Sequence, residues 1–84
     1  MQKIVKQQVR THIERVNRIL EQLSEEQTQI TKISADYASC YGGWAIYHYT
    51  RDGRYHSWLS TRISTREAYA FLLGIEFTLD NIRK

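Results

Sequence analysis

The sequence predicts an α+β domain with the element order α-β-β-α, and three observations carry that expectation. Apolar residues recur at helical spacing near the N-terminus, Asp52-Gly53 separates two alternating runs, and Ser64-Thr65-Arg66-Glu67 opens a second helical stretch. Helices laid against a small antiparallel sheet are the packing that this order allows.

The first helix is read from Val5, Val9, Ile13, Val16, Ile19, Leu20 and Leu23, which fall in one arc at roughly 100° per residue. Glu14 and Arg18 stand four apart in the favourable order on its outer side. Ser24-Glu25-Glu26-Gln27 has the form of a capping box and offers a break. Leu20, Leu23, Gln27 and Ile30 nevertheless keep the 3–4 spacing, so the expectation is a continuous or slightly kinked helix to about Ile33. Ser34 to Gly43 is expected to connect it to the first strand, with Gly42-Gly43 freeing the backbone for a tight turn or a close contact.

The hairpin is read over Trp44–Ile63. Asp52-Gly53 suits a type I′ turn, since both residues tolerate positive φ. A two-residue loop there pairs Arg51 with Arg54, Tyr49 with His56, His48 with Ser57, Tyr47 with Trp58 and Ile46 with Leu59. Alternation then puts Trp44, Ile46, Leu59 and Ile63 on one face and Tyr47, Tyr49, His56 and Trp58 on the other, with Arg51, Arg54 and Arg62. In the second capping box Ser64 is the N-cap and Glu67 reaches back to it, opening a helix to about Ile82. Ala68, Phe71, Leu72, Ile75, Leu79 and Ile82 share one arc of that helix. Leu73 and Phe77 lie roughly opposite, beside Ala70 and Gly74, and a helix apolar on both sides is usually sandwiched.

With 84 residues and no linker, repeat or proline, the chain is one small domain over 1–84. At this size only about 60–65% of the unfolded surface is buried on folding. Cys40 is the only cysteine, so no disulfide makes up the deficit, and a single thiol fits a reducing cytoplasm. The N-terminus lacks the apolar core of a signal peptide, and no run is long enough to span a bilayer. A net charge of +3 raises the prospect of an anionic partner only slightly. Lys3, Lys6, Arg10, Arg15 and Arg18 precede Glu21, Glu25 and Glu26; spread around the polar side, these cations read as a solvated face.

A helix of twenty or more residues spans at least ~30 Å, whereas strands of about seven residues span roughly 23 Å. The first helix therefore overhangs a hairpin that is itself marginal in water. Two associated chains remove both deficits, and a homodimer is expected.

Candidate association surfaces are Tyr47, Tyr49, His56 and Trp58 on the hairpin, and Leu73 and Phe77 on the last helix. Cross-strand aromatic pairs also stabilise a hairpin by ~0.2–1 kcal/mol each. The alternative is single-stranded nucleic acid, with the aromatic rings stacking on bases and Arg51, Arg54 and Arg62 tracking phosphates. On the predicted register His48 and His56 face opposite ways and cannot share an ion, and no CxxC, HxH or HExxH spacing is present. Cys40 has no base or orienting group placed beside it by the sequence. No catalytic residue, metal ligand or cofactor is assigned, and the chain is read as non-enzymatic, without a membrane partner.

Tyr41-Gly42-Gly43-Trp44, the Asp52-Gly53 turn, and Ser64-Thr65-Arg66-Glu67-Ala68-Tyr69 followed by Phe71-Leu72-Leu73-Gly74-Ile75 resemble a pattern in small uncharacterised proteins of gut Bacteroidetes and their mobile elements. The resemblance covers the C-terminal half and its motifs are structural. It implies a bacterial cytoplasm and an accessory role on a phage or mobile element, and it carries no activity, ligand or catalytic residue.

Overall fold

The computed structural model describes residues 4–59 and 61–83, so Lys3 of the basic N-terminal run lies outside the described residues. Its elements are α1 (Lys6–Glu21), β1 (Ile30–Ala38), a 3-10 turn (Ser39–Tyr41), β2 (Gly43–Thr50), β3 (Tyr55–Ser57) and α2 (Thr65–Arg83). The three strands form one antiparallel sheet in the order β1-β2-β3. The fold class is α+β as expected, with one strand more than the sequence reading supplied.

The first helix does not continue to Ile33. It stops at Glu21, where the Gln22 N–H donates to the Ile19 carbonyl and the Leu23 N–H to the Leu20 carbonyl. The Ser24 box is half formed: the Ser24 N–H donates to Oε1 of Gln27 at 2.9 Å, and a single turn follows rather than a new helix. Thr28 then accepts the Ile30 N–H on its hydroxyl and the chain enters β1. Ile33, Ala35 and Tyr37 alternate with Lys32, Ser34 and Asp36, which is strand periodicity. A register irregularity between Ile30 and Lys32 inserts Thr31, so that Ile30 joins the core despite a three-residue spacing from Ile33. That spacing imitates a helix and accounts for the misreading.

The core lies between one face of the sheet and both helices. Ile33, Trp44 and Ile46 from the strands are fully buried with Val9 and Val16 of α1 and Ala68 and Leu72 of α2. Burying side chains of this size contributes about 1.5–3 kcal/mol apiece. Asn17 ties α1 to the edge of β1: its Nδ2 donates to the Ile33 carbonyl at 3.0 Å and its Oδ1 accepts the Ile33 N–H at 2.8 Å. The opposite face carries Lys32, Ser34 and Asp36 of β1, Ala45, Tyr47 and Tyr49 of β2, and Tyr55 and Ser57 of β3. No described helix covers it.

The chain reverses at Asp52-Gly53 but through three residues, Arg51 to Gly53. Thr50 N–H donates to the Arg54 carbonyl, and Gly53 N–H to the Thr50 carbonyl. Only Gly53 has positive φ, at 85°; Asp52 does not, which excludes the type I′ turn. Asp52 instead accepts hydrogen bonds from the Thr50 hydroxyl and the Arg54 N–H. One extra loop residue shifts the register by one, pairing Tyr47 with Ser57, His48 with His56 and Tyr49 with Tyr55.

The Gly42-Gly43 expectation holds in its close-contact form. Gly43 has φ 119°, and a Cβ there would collide with the Ile63 carbonyl. That carbonyl is fixed by the Trp44 N–H at 2.7 Å, and the Trp44 carbonyl accepts the Ile63 N–H at 2.9 Å. The second capping box also forms as read: Ser64 N–H donates to Oε1 of Glu67, and Glu67 N–H to Oγ of Ser64, both at 3.1 Å. Gly43→Ala is expected to destabilise the fold by ~1–3 kcal/mol from backbone strain alone, with the collision adding to it. Urea unfolding followed by tryptophan fluorescence reads the shift.

Candidate functional site

The one-residue change of register redistributes the predicted hairpin surface. Tyr47 and Tyr49 stay on the uncovered face, where Tyr55 joins them with its ring centroid 5.7 Å from each. His56 and Trp58 move to the helix side. Trp58 N–H donates to the Ile46 carbonyl, and its ring lies 4.7 Å from His48 and edge-on to Phe71 at 5.6 Å. His48 and His56 are thus cross-strand partners on one face, with ring centroids 5.4 Å apart, which corrects the expectation that they diverge. Tyr55 was missed because a two-residue loop assigns it to the wrong side.

Two of the three candidate arginines have backbone partners within the chain. Arg51 donates from Nε to the Thr28 carbonyl and from Nη2 to the Leu23 carbonyl, locking the hairpin tip to the exit of α1. Arg62 donates to the Asp36 and Gly43 carbonyls, both at 2.9 Å, and to the Asp36 carboxylate at 2.8 Å. Arg54 is highly exposed, 3.6 Å from Asp52. A guanidinium that stitches strands together is poorly placed to follow phosphates.

The last helix gives the clearest exposed apolar surface. Ala68, Leu72 and Leu79 are buried in the core, while Phe77 is 71% exposed and Leu73 43%. Between α2 and the start of β1 runs an open groove of about 590 Å³, with Ile30, Trp58, Phe71, Gly74, Ile75 and Ile82 in its walls. Phe77 and Leu73 therefore stand on the helix whose flank lines the groove. Leu73 and Phe77 themselves are not among its lining residues, and their exposed side chains make that part of α2 a candidate association surface.

A polar cluster joins the two helices. Buried His12 places Nε2 2.5 Å from Oε2 of Glu76, Arg15 donates to Oε1 of the same carboxylate at 2.9 Å, and Tyr69 meets the His12 ring edge-on. Sequence periodicity puts His12 on the apolar arc of α1 but gives no sign of its carboxylate, sixty-four positions away. The contacts of this cluster are internal, between α1 and α2. Cys40 is exposed on the 3-10 turn, and among the described residues no three His, Cys, Asp or Glu side chains are grouped to hold a metal.

The titration of His48 follows from its surroundings. Burial lowers its pKa below the ordinary 6.5, and the neighbouring His56 charge lowers it further. Its buried Nδ1 has no hydrogen-bond partner among the described residues. A depressed histidine pKa means that the unfolded chain takes up the proton first. The stability it supports is complete above pH 6.5 and declines as pH falls through 6.5 towards the folded value. Urea midpoints at constant ionic strength are expected to drop between neutral and mildly acidic pH, and His48→Gln to flatten that dependence.

Comparison with protein-family models, with curated proteins and with solved structures finds no match.

Proposed function

We propose that this chain is a non-enzymatic protein that works by association with protein, first of all with a second copy of itself. The observation that carries the reading is the two-sided character of α2. One side is spent on α1 and the core; the other presents Leu73 and Phe77 to solvent. A phenylalanine 71% exposed next to an apolar cleft costs roughly 25 cal/mol for each Å² left in water. Docking a partner recovers that free energy. No described helix is long and apolar enough to cross a membrane, so this side of α2 is not read as a membrane span. A bacterial cytoplasm and an accessory role in a phage or mobile element, as the resemblance implies, belong to the same proposal.

Single-stranded nucleic acid is the second reading, favoured by one observation: Tyr47, Tyr49 and Tyr55 share a sheet face that no described helix covers. Lys32 stands opposite Tyr49 in the register, and Arg54 is exposed near the turn. Each stacked base contributes ~1–3 kcal/mol on such platforms. The surface is thinly charged, which puts this reading second.

Sedimentation of the wild-type chain at micromolar concentration is expected to give twice the chain mass, and Phe77→Asp to give single chains. A wild-type monomer under those conditions would sink the self-association reading. For the second reading, anisotropy of a labelled oligonucleotide at low salt should rise and Tyr55→Ala should weaken it; no rise ends that reading.

A further inference from the structure

We propose that His48 and His56 form a two-point site for an exchangeable divalent transition-metal ion of the Zn²⁺ type, held through imidazole nitrogen. The site is independent of self-association. It follows from the observed register, in which the two histidines are directly opposed partners on one face of the sheet. The pairs two residues to either side, Thr50 with Arg54 and Ile46 with Trp58, are joined by backbone hydrogen bonds. His48 and His56 therefore occupy a hydrogen-bonded position of the ladder, where Cα atoms stand ~5.5 Å apart.

Three features fit a metal ion. The first is spacing: the two ring centroids are 5.4 Å apart. An ion ~2.0–2.1 Å from one nitrogen of each ring, at a tetrahedral angle, sets the centroids ~5.2 Å apart. The second is that one ligand is already held. The His48 ring lies against Trp58, with centroids 4.7 Å apart, and Trp58 in turn meets Phe71 of α2 edge-on. His56 is exposed on the short outer strand, so the pair combines a ring fixed by packing with one reached from solvent. The third is an orphan nitrogen. Nδ1 of His48 is buried without a hydrogen-bond partner among the described residues, whereas Nε2 of His12 faces the Glu76 carboxylate. As the unprotonated nitrogen of a neutral imidazole, Nδ1 carries a lone pair that no described residue engages.

The ligand set selects the ion. Imidazole suits Zn²⁺, Ni²⁺ and Cu²⁺, whereas Mg²⁺ and Ca²⁺ take oxygen ligands. No third His, Cys, Asp or Glu joins the pair among the described residues. Two protein ligands fall short of the four that close a structural zinc site, so water completes the coordination and the ion exchanges.

The probe is Zn²⁺ alone, added to the full chain carrying Cys40→Ser so that the exposed thiol does not compete. Imidazole proton resonances of His48 and His56 are expected to move together while those of His12 stay, and calorimetry to give one ion per chain. His56→Gln, at an exposed position, is expected to weaken uptake at least ~10-fold, because a two-point hold becomes a one-point hold. His48→Gln is expected to do the same, and Mg²⁺ to leave the resonances unchanged. Circular dichroism checks that each variant is folded. Rings unmoved by millimolar Zn²⁺, unchanged affinity in His56→Gln, a response at His12 alone, or an equal response to Mg²⁺ would overturn the site.

Discussion

The register of β2 against its neighbours is the constraint on which the rest of the molecule depends. Three loop residues at Arg51–Gly53, closed by Thr50 and Arg54 and braced by the Asp52 carboxylate, decide which side chains look towards the helices. Tyr47 and Tyr49 face away from the helices by alternation along β2; the count of three sends Tyr55 and Ser57 to their side and His56 to that of Ile46 and His48. A slip of one residue would exchange the two sets. The turn does not act alone: Arg51 reaches the carbonyls of Leu23 and Thr28, and Gly43 admits the Ile63 carbonyl at the far end of the strand. Both ends of β2 are therefore pinned, one by a guanidinium and one by a missing side chain.

Two layers follow from this arrangement. Both helices share the inward face, and the outward face is left to Lys32, Ser34, Asp36 and the tyrosines. The molecule measures 38 × 29 × 17 Å, and its radius of gyration of 13.0 Å exceeds the ~12 Å of a compact chain of this length. A slab this thin cannot enclose all of its apolar side chains. The shortfall gathers on α2, whose contact with α1 uses only part of its circumference. The domain has more apolar helix surface than two layers hide.

Much of the fold is legible in the residues, for reasons that can be named. The α1 arc, the Ser64–Glu67 capping box and the glycine needed at Gly43 are local signals with one solution each. The two-sided nature of α2 is legible too, because helical spacing alone separates Leu73 and Phe77 from Leu72 and Leu79. Strand β1 is hidden by Thr31, whose insertion gives Ile30 and Ile33 a helix-like interval. The sidedness of His56 and Trp58 hinges on loop length, where two or three residues suit the same Asp-Gly pair. Contacts such as His12 to Glu76 and Arg62 to Asp36 join distant segments, and no local pattern announces them.

The Asn17 side chain has a wider meaning. An outer strand with free amides and carbonyls is a template on which further strands grow, and fibrous deposits propagate that way. At Ile33, in the middle of β1, one carboxamide occupies the outward donor and acceptor together. Polymerisation by strand addition is interrupted there.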